Sequence, residues 1–170
     1  TTGGGLTGTG VAPRATTTEL GDLVVTSIFV DLTGLKKKSD VGEVIGVDGV
    51  ADASLLTYDV ATHGQLFKAE INCLLAPTAA SNNLLDIDLY LSSTALAYDG
   101  DATASSGVQV IDMDGNNMVL GKQTANATTG ISAASHDGWY FYLADGATST
   151  GADTFTAGKL SVVLYGTKTS

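Results

Sequence analysis

Five Asp-Gly dipeptides divide the chain, at Asp48-Gly49, Asp99-Gly100, Asp114-Gly115, Asp137-Gly138 and Asp145-Gly146. Several stand beside short runs in which apolar and polar residues alternate. Gly accepts positive φ without a Cβ clash, and Asp hydrogen-bonds its own backbone, so the pair favours tight turns. Period-two runs joined by such turns predict an antiparallel, all-β domain. The same dipeptides account for much of the acidity, which therefore needs no metal site to explain it.

The composition agrees. Glu and Gln occur three times each, against 23 Thr and 21 Gly, a balance that favours pleated surfaces over long helices. A chain of 170 residues fits one core. Its net charge of −10 disfavours phosphate backbones, so no nucleic-acid partner is expected. No apolar stretch nears the roughly 20 residues that cross a bilayer, and no secretory signal is read at the amino terminus. No membrane partner is expected either. Cys73 alternates with Phe67, Ala69, Ile71 and Leu75 and reads as a small buried hydrophobe.

Residues 1–21, TTGGGLTGTGVAPRATTTELG, carry almost nothing to bury. They read as a flexible arm that orders only against a partner. Residues 22–170 read as the folded domain. DLVVTSIFVDL (22–32) places Val24, Ile28 and Val30 on one face and Val25 and Phe29 on the other, so both faces are expected to be covered. In QLFKAEINCLL (65–75), Phe67, Ala69, Ile71, Cys73 and Leu75 point inward. In LLDIDLYL (84–91), Leu85, Ile87, Leu89 and Leu91 point inward, with Asp86, Asp88 and Tyr90 outside. VQVIDM and NMVLG read as a hairpin about Asp114-Gly115, residues 124–135 as a loop, and WYFYLAD and KLSVVLYG as the last strands. About eight strands suit a two-sheet antiparallel sandwich of jelly-roll type.

Few motifs carry chemistry. Gly3-Gly-Gly-Leu-Thr-Gly8 has the letters of a dinucleotide fingerprint without its strand or helix. Asp112, Asp114 and Asn116 begin like a calcium loop, but Asn117 and Gln123 stand where the pattern needs Gly and Glu. A hairpin turn accounts for them, with an irregular calcium site as the alternative; Asp99 and Asp101 form a second such pair. Asp86 and Asp88 could serve acid/base chemistry, but a solvated strand face explains them. His63 and His136 read as exposed turn residues, and no Gly-x-Ser-x-Gly elbow accompanies them. Four of the eight basic residues, Arg14, Lys36, Lys37 and Lys38, fall within the first 38 positions. They are the candidate interface, with a solvated loop as the plainer reading of the lysines.

The stretches DLVVTSIFVDLTGLK, VIGVDG, LFKAEINCLLAPT, DIDLYLSS and FTAGKLSVVLYG resemble small structural proteins of tailed bacteriophage virions, those of marine bacteria and cyanobacteria above all. The similarity is spread over residues 22–166. It implies a head decoration or cement protein: a homotrimeric sandwich on the outer surface of the capsid, bound to the major capsid protein or another virion protein. It implies no enzymatic activity, no cofactor and no catalytic residue. A second reading is a carbohydrate-binding or adhesin module of a tail fibre, which would stack sugars on Trp139, Tyr140, Tyr142, Tyr90 and Tyr98.

Overall fold

Thr-rich and Val-rich runs broken by Gly and Asp fold here into strands that pair only antiparallel. The computed structural model describes residues 13–81, 85–104, 107–113, 117–127, 131–147 and 151–168. Asp114, Gly115 and Asn116 lie outside the described residues, as do residues 1–12 of the expected arm. Among the described residues the strands are β1 (Arg14–Leu20), β2 (Leu23–Asp31), β3 (Lys36–Lys37), β4 (Leu56–Thr57), β5 (Gln65–Ala79), β6 (Ile87–Ser92), β7 (Val108–Ile111), β8 (Gln123–Ala127), β9 (Tyr140–Asp145) and β10 (Asp153–Thr167). Two four-residue helical turns join them, α1 (Val60–His63) and α2 (Ala133–His136).

The strands form two antiparallel sheets. The larger runs β1-β2-β10-β5-β8, with β3 also on β10; the smaller runs β4-β9-β6-β7. Ile28, Val30, Ile71, Leu160 and Val162 of the larger sheet face Ile87, Leu89, Phe141 and Leu143 of the smaller in one core. Full burial stabilises each such side chain by about 1.5–3 kcal/mol. Cys73 belongs to this core, and burial pushes its thiol pKa up.

Several expectations are corrected. The arm is ordered from Arg14 onward: β1 pairs with β2 in unbroken register from Arg14↔Phe29 to Leu20↔Leu23. Gly21, at φ 64°, turns the chain between them. On β5, Leu66 is buried (2% exposed) and Phe67 is exposed (46%), the reverse of the alternation. The cause is a bulge: β10 pairs Tyr165 with Lys68 but Gly166 with Leu66, so Phe67 is an extra residue and the face flips. Leu75, also expected inside, is exposed beyond a second irregularity. NMVLG is not a strand; β7 pairs with β6, while Met118 bonds back to Leu85. The expected loop at 124–135 contains most of β8 and α2.

The largest correction concerns the outer face of the smaller sheet. Asp86, Asp88 and Tyr90 are buried rather than solvated. Val44, Ala53 and Ala102 pack with Tyr90, Tyr142 and Ala144 in a second, smaller core on that face. The covering chain is pinned by backbone bonds from Val44 to Gly100, Ala53 to Leu96 and Ala102 to Gly42. Both faces of the smaller sheet are therefore covered. Among the described residues, none packs over the outer face of the larger sheet.

Candidate functional site

The uncovered face is built by the odd-numbered residues of β2 and, from Lys159 onward, of β10, with their partners on β1, β5 and β8. Its rows follow from the register: Arg14–Phe29–Ser161–Asn72–Gln123, then Thr16–Ser27–Val163–Glu70, then Thr18–Val25–Tyr165–Lys68. Five strands of this length span roughly 20 Å by 30 Å, the same order as the ~800 Å² each partner gives to a standard interface. Phe29, expected to be covered, is 38% exposed on this face.

Its polar groups are held in place. The Glu70 carboxylate pairs with Lys68 and accepts from the Tyr165 hydroxyl at 3.0 Å and from Gln123 Nε2 at 3.4 Å. Lys68 Nζ also lies 5.0 Å from the centre of the Tyr165 ring, and Phe67 leans on that ring at 6.4 Å. The bond from Lys68 foremost, with those from Tyr165 and Gln123, holds Glu70 below the usual carboxylate range against the opposing effect of burial. The face therefore presents aromatic and aliphatic surface around a fixed, internally neutral polar cluster. It carries Arg14, Lys68 and Lys159 against Asp31 and Glu70, in a chain with 18 acidic and eight basic residues. Elsewhere the protein is strongly acidic; here it is close to neutral.

The three consecutive lysines do not act together. Lys36 pairs with Asp48 at 3.2 Å and Lys38 with Asp99 at 2.9 Å, each partly exposed. Lys37 points the other way, into the interior, where its Nζ donates to Asp145 Oδ2 at 2.7 Å. Its side chain is 1% exposed, so the reading of Lys37 as an interface residue is overturned. Strand alternation across β3 is the reason. Arg14 alone of the four stands on the open face.

The acidic candidates are engaged within the fold. Asp101 Oδ1 accepts from Thr103 N, Thr103 Oγ1 and Ala104 N, closing a turn rather than waiting for an ion. Asp112 is exposed beside the undescribed 114–116. Among the described residues, no three His, Cys, Asp or Glu gather about a point that could hold a metal. Asp86 Oδ2 and Asp88 Oδ1 lie 2.6 and 2.7 Å from where a Cβ on Gly146 would stand, so only glycine fits there. Asp88 accepts from Met113 N at 2.9 Å and Gln109 Nε2 at 2.8 Å. Burial foremost, with the nearby Asp112 and Asp145 charges, pushes its carboxyl up.

Both histidines are buried as well, by one repeated device. Each ends a helical turn and folds back so that Nδ1 accepts a backbone N–H four residues earlier: Asp59 to His63 at 2.9 Å, Ser132 to His136 at 3.1 Å. For His63, accepting at Nδ1 selects the neutral ring with its proton on Nε2. His63 stacks on Tyr58, and Trp139 meets His136 edge-on at 4.4 Å. Of the expected sugar platform, Tyr90 and Tyr142 are inside and Trp139 is half-buried; the exposed aromatics are Phe29 and Phe67.

Clefts lie on the surface among the described residues. One, about 310 Å³, lies between Pro77, Leu85 and Val119; another, about 400 Å³, between Glu19, Val60 and Lys168. Neither contains the buried carboxylates or the imidazoles. Among the described residues no helix is long and apolar enough to cross a membrane. Comparison with family models, with curated proteins and with solved structures gives no significant match.

Proposed function

We propose that this protein is a non-catalytic virion component, a capsid decoration or cement protein of jelly-roll fold. It acts as a homotrimer and binds the phage shell by surface contact alone. The observation that carries this reading is the open face of the larger sheet: broad, aromatic at its centre and near-neutral on an otherwise acidic molecule. Groups with chemical reach, namely Asp86, Asp88, His63 and His136, are enclosed, and the last three are committed to backbone or side-chain partners, which favours binding over catalysis.

Strand order supports the jelly-roll assignment. If β1 and β3 are set aside as additions, eight strands remain, with β2-β10-β5-β8 in one sheet and β4-β9-β6-β7 in the other. Successive strands cross between the sheets except at the β6–β7 hairpin, the winding expected of two interleaved Greek keys. The docking residues in this reading are Arg14, Phe29, Lys68, Val163 and Tyr165 rather than Lys36, Lys37 and Lys38.

Sedimentation with shells of the phage that encodes the protein tests the reading. Phe29→Glu combined with Val163→Glu puts two charges on the face without touching either core. Occupancy of the shell should fall by at least about tenfold, the effect of losing roughly 1.4 kcal/mol. Occupancy equal to wild type, with the variant still folded, would remove the face from the mechanism.

A further inference from the structure

Lys37 is among the largest fully buried side chains of the molecule, and Asp145 beside it is equally enclosed (1% and 0% exposed). They come from different layers: Lys37 from β3, which pairs with β10 of the larger sheet, and Asp145 from the end of β9 in the smaller. Close by in sequence, Leu35, Ile45, Leu143 and Phe155 are all buried, and the backbone bonds Ile45 to Leu143 and Phe155 to Leu35 tie these segments together. Nζ donates to Oδ2 at 2.7 Å and to the Lys38 carbonyl at 3.3 Å. A hydrogen bond this short puts the nitrogen about 3–3.5 Å from Cγ, the separation of a near-attack arrangement.

We propose that Lys37 and Asp145 condense into an intramolecular isopeptide bond that staples the two sheets together. The proton first passes from the Lys37 ammonium to Oδ2 along their hydrogen bond, leaving an amine and a carboxylic acid. The amine lone pair then adds to Cγ, forming the N–C bond. The Cγ–Oδ2 bond breaks, and that oxygen leaves as water with its own proton and one from the nitrogen. Atoms and charge balance, and neither oxidant nor cofactor is required.

Enclosure supplies the drive. Two charges removed from water are costly even when paired, and the amide carries none. Burial pushes the Asp145 carboxyl up against the pull of Lys37, towards the protonated form that the first step produces. Fixed reactants reach effective concentrations of about 10⁵–10⁸ M, and a dry site disfavours the return of water. The link would close a loop spanning 108 positions.

The intact, denatured full-length chain should weigh one water less than its sequence. After proteolysis, tandem mass spectrometry should find a branched peptide joining the segments that contain Lys37 and Asp145. Lys37→Arg, which keeps the charge but offers no amine, should show the full sequence mass. A wild-type chain at full mass overturns the proposal and leaves a salt bridge. So does a chain one water lighter whose two segments are recovered unjoined, since Asp145-Gly146 can lose water alone as a succinimide. A Lys37→Arg chain that still lacks one water overturns it equally.

Discussion

Asp88, His63, His136 and Lys37 share one lesson: a polar residue in a period-two or turn context is not thereby on the surface. Each is buried because a specific partner receives it. Nδ1 of His63 takes the Asp59 amide, Asp88 takes Met113 and Gln109, and Lys37 takes Asp145. For His63 this has a pH consequence. Burial lowers its pKa from 6.5, with Asp59 opposing. Folding then favours the neutral ring, so the contribution is complete above pH 6.5 and is lost as pH falls from there through the lowered folded value. His63→Asn puts a non-titrating acceptor near the Nδ1 position. Between about pH 7.5 and about pH 5 its urea midpoint should therefore drop less than that of wild type. An equal drop would show that His63 titrates as freely folded as unfolded.

Among the elements, β2, β6, β9 and β10 follow from apolar alternation because one face of each is buried along its length. Other elements escape such a reading for local reasons. Arg14–Leu20 has little to bury, yet Thr suits a strand, and Gly21-Asp22 before the Val-rich run is a two-residue hairpin signal; that signal was present and outweighed by composition. The β8 strand, Gln-Thr-Ala-Asn-Ala, lacks large apolar residues and is placed by pairing with β5. The bulge at Phe67 belongs to the β5–β10 pair and to neither strand alone. It predicts a reversed pattern of cost. Leu66→Ala should destabilise by about 2–5 kcal/mol, whereas Phe67→Ala, at a half-exposed site, should cost under about 1 kcal/mol. Denaturant titrations of the two variants decide it, and a larger cost at Phe67 would deny the bulge.

At the scale of the whole molecule the asymmetry between the sheets matters most. Among the described residues, the smaller sheet is covered on both faces by its own chain, the larger leaves one face open, and the protein's negative charge lies mostly elsewhere. Copies of the molecule that approach one another are opposed by the long-range repulsion of their like net charge. At about 0.5 M salt the Debye length shrinks to a few ångströms. If the proposed trimer forms, its fraction in sedimentation equilibrium should therefore rise between about 0.05 M and about 0.5 M salt. A fraction that falls would mean attraction between unlike charges holds the copies together.

Residue chemistry alone determined that this chain is β-rich, antiparallel and built on alternating stripes, because strand preference, period and turn conformation act over a few neighbouring residues. Tertiary structure decided what covers each face, which of three adjacent lysines turns inward, and that Asp86 and Asp88 lie in an interior. Alternation distinguishes the two faces of a strand but does not say what packs on either. That is settled by contacts between residues far apart in the chain, such as Val44 with Ala144 and Lys37 with Asp145.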